Sequence, residues 1–157
     1  MGKLFDSDVI MKIKEMAEEN NFDLSISESE KTIDLIKSQY YDNGMMAYCY
    51  IEIDIELKEV GNDRIKVSLY LDGFSKEKIE RMLEDCDYYY IYGSDDETVP
   101  EEEFEKEEKR CAEKYGLRSL MRLYFYSVAL DEYENDGFGF LPELIEFLEK
   151  IGYKVDW

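Results

Sequence analysis

The stretch "MMAYCYIEIDIELK", residues 45–58, changes chemistry at every step. In an extended chain Cys49, Ile51, Ile53, Ile55 and Leu57 fall on one side, and Tyr48, Tyr50, Glu52, Asp54 and Glu56 on the other. A helical period of 3.6 would scatter both sets around the axis, so this is a strand with one buried face. Gly61-Asn62-Asp63 follows as a turn. Ile65, Val67, Leu69 and Leu71 then supply the matching apolar face of a return strand. With a three-residue loop, the hairpin register sets Glu56 opposite Ser68, Asp54 opposite Tyr70 and Glu52 opposite Asp72.

Toward the N-terminus, Ser7 is placed to cap a helix through about Glu19 with Val9, Ile10, Ile13, Met16 and Ala17 on one face. Asn20-Asn21 ends it. Residues 22–26 alternate as a strand, and residues 31–41 read as another on Thr32, Ile33, Ile36 and the tyrosines. Beyond the hairpin, Ser75 caps a helix bearing Ile79, Met82, Leu83 and Cys86 at helical spacing. Residues 87–92 and 117–130 read as strands. A last helix starts near Pro142, buries Leu144, Ile145, Leu148 and Ile151 and stops at Gly152; residues 153–157 add a short strand. The expected fold is α+β, a single domain over residues 1–157. Its sheet is mostly antiparallel, with three to four helices packed on it.

The chain carries 39 acids against 19 bases, a net charge of −20, yet 45% of it is apolar and 15% aromatic. A disordered acidic chain would be poor in aromatics, so the charge sits on a folded domain. A halophilic surface would be rich in small residues and poor in lysine, whereas this chain has four alanines, thirteen isoleucines and fourteen lysines. Solubility explains the sign of the charge, but a small domain needs a magnitude of only about 2–8 for that. Such a field repels nucleic acid and anionic membranes and draws in basic protein surfaces.

The sequence contains no histidine, which removes the Ser-His and Cys-His nucleophile pairs and the HExxH zinc site. The three cysteines, Cys49, Cys86 and Cys111, form no CxxC pair and read as buried, reduced cytosolic thiols. No signal peptide or membrane span is legible, which points to the cytoplasm. Glu132, Glu134, Asp136 and Glu143 have the spacing of a calcium loop. With Glu in place of Asp at two ligand positions and Pro142 beside the last, the segment reads instead as an acidic turn into a helix. No catalytic residue, cofactor or metal ligand set is expected.

Two acidic features remain. "SDDETVPEEEFEKEE", residues 94–108, packs nine carboxylates into fifteen residues. Thr98 and Glu101 fit a capping box, and Glu102–Lys106 and Glu105–Lys109 fit stabilising i, i+4 pairs. Asp95, Asp96, Glu97 and Glu103 have no such explanation. The second feature is the row Glu52, Asp54 and Glu56, spaced about 6.6–6.8 Å along one strand face, a plausible match to successive phosphates. Tyr48, Tyr50 and Tyr70 beside it, with Asp72, add amphipathic contact area. Lysines on the strand's second neighbour would make this row an ordinary neutralised face.

The expected function is an acidic protein inhibitor that occupies the basic nucleic-acid channel of a nuclease or defence complex, in the manner of DNA mimics of the anti-CRISPR or anti-restriction type. Its candidate contact residues are those of the strand row and its neighbours, with Asp95, Asp96, Glu97, Glu101, Glu102, Glu103 and Glu105. An immunity protein neutralising a basic nuclease toxin would carry the same surface. An interaction module without nucleic-acid mimicry is the second class, and a carboxylate-based metal enzyme the third. The expected partner is a basic protein rather than nucleic acid or membrane, and the chain itself a monomer or small symmetric oligomer such as a homodimer.

Overall fold

The computed structural model describes residues 4–44, 47–87, 89, 99–135 and 139–157. A sheet runs in the order β1 (Asp23–Ser27), β2 (Thr32–Asp42), β3 (Tyr48–Glu59), β4 (Arg64–Leu71) and β5 (Phe74–Ser75), each antiparallel to the next. A sixth strand, β6 (Lys154–Asp156), pairs parallel to β4. The expected hairpin forms in the expected register: Val60 N–H donates to the Arg64 carbonyl (3.0 Å), closing a loop of Gly61, Asn62 and Asp63. The strand expected over residues 31–41 forms as β2 one residue later, with Lys31 (φ 58°) left in the turn before it.

Five helices are present among the described residues: α1 (Ser7–Glu19), α2 (Lys76–Asp85), α3 (Glu101–Tyr115), α4 (Leu120–Asn135) and α5 (Phe140–Lys150). One core joins the apolar side of the sheet to the helices. Ile33, Leu35, Ile51, Ile53, Ile55, Leu57 and Leu71 are closed to solvent against Ile13, Met82, Leu123 and Leu144. The other side of β2, β3 and β4 leaves Ser38, Tyr40, Tyr48, Tyr50, Glu52, Lys58 and Lys66 exposed. No described helix is long and apolar enough to cross a membrane.

Residues 117–130 depart from expectation: they belong mostly to α4, a helix instead of a strand. Leu120, Leu123, Phe125, Tyr126, Ala129, Leu130 and Tyr133 are all buried, because α4 packs against β3 and also against α2. A helix covered on several sides loses the polar stripe by which helices are recognised. Its start is nevertheless written locally. The Ser119 hydroxyl accepts from Arg122 N–H (3.4 Å), and the Glu108 carboxylate accepts from Leu120 N–H (3.1 Å).

Helix starts shift elsewhere too. Asp6, not Ser7, holds the cap position of α1. At α3 the cap is Pro100, whose extended φ of −59° and ψ of 139° leave its carbonyl to accept from Glu103 and Phe104 (both 3.1 Å). Of the expected capping box, Thr98 lies outside the described residues, and Glu101 is the first helical residue. The expected strand over residues 87–92 lies almost wholly outside the described residues. Ser75 does cap α2, accepting from Lys78 N–H at 3.2 Å.

The cysteines correct a further expectation. Cys86 and Cys111 form a disulfide across 25 residues, with their Cα atoms 6.3 Å apart, and only Cys49 is free and buried. The packing of α3 against the end of α2 brings the sulfurs together, through a cluster on Asp85. Its carboxylate accepts from Tyr115 (2.6 Å), Lys114 (2.7 Å) and Arg110 (3.3 Å). Closing a loop of this length constrains the unfolded chain by about 3–4 kcal/mol on the chain-entropy account. Protein unfolded in guanidinium without reductant should therefore titrate one thiol, and three after reduction. Three reactive thiols before reduction would contradict the pairing.

Candidate functional site

On the uncovered side of β3, the acidic row has strands on both flanks, and neither sets a base opposite it. On β4, Glu56 is paired with Ser68 and Asp54 with Tyr70. On β2, Glu56 is paired with Asp34, Asp54 with Ile36 and Glu52 with Ser38. The neutralised face that lysines on β2 would have made is therefore absent, and β2 adds a fourth carboxylate instead. Among the described residues, bases stand at the ends of the row. Lys58 and Lys66 face each other beyond Glu56, and Arg118 lines a recess of about 460 Å³ with Glu52 and Asp72.

The centre of the row responds with a raised carboxyl pKa. Asp34 pairs with Glu56, two residues along the strands from the Ile36–Asp54 pair, so Asp34 and Asp54 are diagonal neighbours on one face. Asp54 is half-buried, and its Oδ1 is closed to solvent with no hydrogen-bond partner. Burial first, then the adjacent Asp34 carboxyl and the charges of Glu56 and Glu52, push its carboxyl up to about 7. Glu56 is also raised, by burial first and then by Asp34, against the pull of Lys58.

Next to the row lies an aromatic patch. Tyr40, Tyr48 and Tyr50 are 48%, 59% and 61% exposed, and the Tyr40 ring stands 5.2 Å from that of Tyr50 and 6.1 Å from that of Tyr48. The Asp42 carboxylate is fixed beside them by the Gly44 N–H (2.7 Å) and the Tyr40 hydroxyl (2.9 Å), which hold it below the ordinary carboxylate range. Tyr70 is half-buried, and burial followed by the charge of Glu56 pushes its hydroxyl up.

Asp72 does not belong to this open surface. It sits opposite Glu52 as expected, its N–H donating to the Glu52 carbonyl and its Oδ1 accepting from Glu52 N–H (both 2.9 Å). Its Oδ2, however, accepts from Arg122 (2.7 Å) and Tyr126 (2.6 Å), so it ties β4 to α4. The helical run divides similarly. Glu101, Glu102, Glu103 and Glu105 are exposed, but Glu107 binds Arg110 (2.6 Å) and Asp87 N–H (2.6 Å), and Glu108 caps α4. No ion pair joins Glu102 to Lys106 or Glu105 to Lys109 among the described residues. Asp95, Asp96 and Glu97 lie outside the described residues.

The strand row and α3 are not brought together: the row faces away from the helices, whereas α3 is bonded into the helical layer through Asp85 and Leu120. The calcium-like spacing also dissolves. Glu132 and Glu134 lie on α4, where Glu132 accepts from Tyr41 (2.8 Å) and Glu134 pairs with Lys76 (3.0 Å); Asp136 is outside the described residues. No group of three or more metal-ligating side chains occurs among the described residues. Asp34, Tyr40 and Asp42 are the site residues that sequence reasoning missed. They share the period-two face of β2, but only the β2–β3 register places them beside the row. No family model, curated protein or solved structure matches the chain.

The raised Asp54 carboxyl makes stability depend on pH. Between the ordinary value of 3.8 and about 7 the folded state binds more protons than the unfolded one, so stability falls as pH rises through that window. Asp54→Asn, which keeps a donor for Asp34 and cannot ionise, should raise stability at pH 8 by about 1 kcal/mol, allowing for the solvent screening of a half-exposed group. The gain should vanish near pH 4. Equal effects of the substitution at both pH values would contradict the raised Asp54 carboxyl.

Proposed function

We propose that this protein is an acidic inhibitor whose exposed sheet face enters the basic nucleic-acid channel of a nuclease or defence complex. The observation that carries this reading is the register of β3, which leaves Glu52, Asp54 and Glu56 without a base opposite them on either flanking strand. A fold under no other demand gains from placing opposite charges across a sheet, and like charges there are destabilising. Here β2 contributes Asp34 instead.

The geometry suits a channel that holds a nucleic-acid backbone. Carboxylates recur about every 6.6–6.8 Å along β3, and Asp34 lies one strand over, about 4.7–4.9 Å away in the sheet direction. Channels for guide–target duplexes or displaced strands are lined with lysine and arginine. A net charge of −20 would steer the protein to such a channel at high rate. Once docked, the exposed faces of Tyr40, Tyr48 and Tyr50 would pack on guanidinium groups and aliphatic stems. The exposed acids of α3 lie in the other layer, so the strand face is assigned the channel and α3 is not.

Two glutamine variants test this. Changing Glu52, Asp54 and Glu56 together should leave the fold intact and weaken binding to a captured basic nuclease by tenfold or more, which is about 1.4 kcal/mol or more. The remaining affinity should depend less on salt. Changing Glu101, Glu102, Glu103 and Glu105 should alter binding by about twofold or less, as surface changes outside a contact do. The parent should compete with nucleic acid for the nuclease. Equal binding by the strand variant, or full nucleic-acid affinity in the complex, would refute the proposal.

A further inference from the structure

We propose that Lys37 is a nucleophilic amine, seated at a recess on the helical side of the sheet, that condenses with small neutral aldehydes to form an imine. This site is separate from the acidic row, which lies on the opposite side. The face of β2 that helps to build the core reads Ile33, Leu35, Lys37, Gln39 and Tyr41, so a lysine stands where the pattern calls for an aliphatic residue. Across the strands Lys37 pairs with Ile53, which is closed to solvent. Its Nζ lies 4.6 Å from the centre of the buried Phe22 ring and donates to the Asn20 carbonyl (3.3 Å). Lys37 has no ion pair among the described residues. The charge of Glu132 reaches it, but that carboxylate is committed to Tyr41 (2.8 Å) and Gln39 (3.3 Å).

The recess measures about 360 Å³ and has apolar walls of Phe22, Phe140, Leu141 and Pro142, the two rings stacked at 4.9 Å. That is the small end of the range for ligand pockets. A half-buried amine against an aromatic ring, with no carboxylate paired to it, is a poor place for an ammonium charge. Burial accordingly lowers the basicity of Lys37, against the pull of Glu132. Lysines desolvated in this way attack carbonyl carbons. The free amine nitrogen bonds to the aldehyde carbon, the carbon–oxygen double bond breaks, and the oxygen leaves as water with both amine hydrogens. The imine then takes a proton from solvent, and the charge of Glu132 favours the cation so formed. Around the recess stand Glu19 from α1, Glu132 and Tyr133 from α4 and Glu143 from α5, while β3 faces Lys37 with Ile53. The three carboxylates define the substrate class, because they repel an anionic aldehyde and leave a neutral one free to enter.

Benzaldehyde is a suitable probe, trapped at pH 7 with cyanoborohydride, which reduces the imine to a stable secondary amine. Proteolysis and mass spectrometry then give the labelling rate at each lysine. Lys37 should be labelled about tenfold faster than any other lysine, the scale on which partial burial acts on an amine. In guanidinium this preference should vanish, because it belongs to the fold and not to the local sequence. The anionic para-carboxybenzaldehyde, which carries the same ring, should show a preference for Lys37 smaller by about threefold or more. Labelling of Lys37 at the rate of the exposed lysines, or a preference that survives guanidinium, would overturn the proposal. An equal preference with both aldehydes would place the reaction outside the recess and overturn it as well.

Discussion

Along β3 the chain sends Cys49, Ile51, Ile53, Ile55 and Leu57 into the core and Tyr48, Tyr50, Glu52, Asp54 and Glu56 out of it, and every other element is positioned by that division. Each of the four aliphatic side chains is fully buried, contributing about 1.5–3 kcal/mol. A slip of one residue would put three carboxylates into the core, so the register with β2 and β4 is strongly specified. The helices gather on the apolar side because only that side offers surface to cover. The same alternation that builds the core thus leaves a carboxylate row on the open side.

The shortage of bases shapes the rest of the molecule. With 19 lysines and arginines for 39 acids, many carboxylates must find another donor, and tyrosine hydroxyls serve. Tyr41 donates to Glu132, Tyr126 to Asp72, Tyr153 to Glu59, Tyr115 to Asp85 and Tyr40 to Asp42, at 2.6–2.9 Å. These bonds join β2 to α4, β4 to α4, the β6 end of the chain to β3, and α2 to α3. Hydrogen bonds to a charged acceptor are the stronger kind. Burial first, then the bond to the carboxylate, drives the Tyr41 and Tyr126 hydroxyls far above their ordinary range. At the centre of the acid row the Asp54 Oδ1 has neither a base nor a tyrosine as a partner, and its carboxyl is raised.

Sequence legibility follows the range of the interactions. The β3–β4 hairpin was readable down to Asp72 opposite Glu52, because a short turn fixes the register of strands that adjoin it. The β2–β3 register was not, since period-two patterning shows which residues share a face but not which residues meet across strands. Asp34 went unnoticed for that reason. Helix α4 was hidden by burial around much of its circumference, although Ser119 marked its start. Asp72 and Glu108 looked like surface charge because their partners, Arg122 with Tyr126 and the α4 N-terminus, lie far along the chain or belong to a helix read as a strand. The Cys86–Cys111 pair depends on how α3 docks on α2, which no spacing rule encodes.

The row on β3 sets like charges side by side against the interest of folding. The most direct test is the salt dependence of thermal unfolding, compared between the parent and the Glu52→Gln, Asp54→Gln, Glu56→Gln triple variant. Salt screens like-charge repulsion, with a Debye length shrinking from about 30 Å at 0.01 M to about 3 Å at 1 M. The Tm of the parent should rise across that range, and the variant should start higher at low salt and rise less. Parallel curves, or a parent Tm that falls as salt is added, would mean that the row is neutralised in the folded protein and would contradict the account.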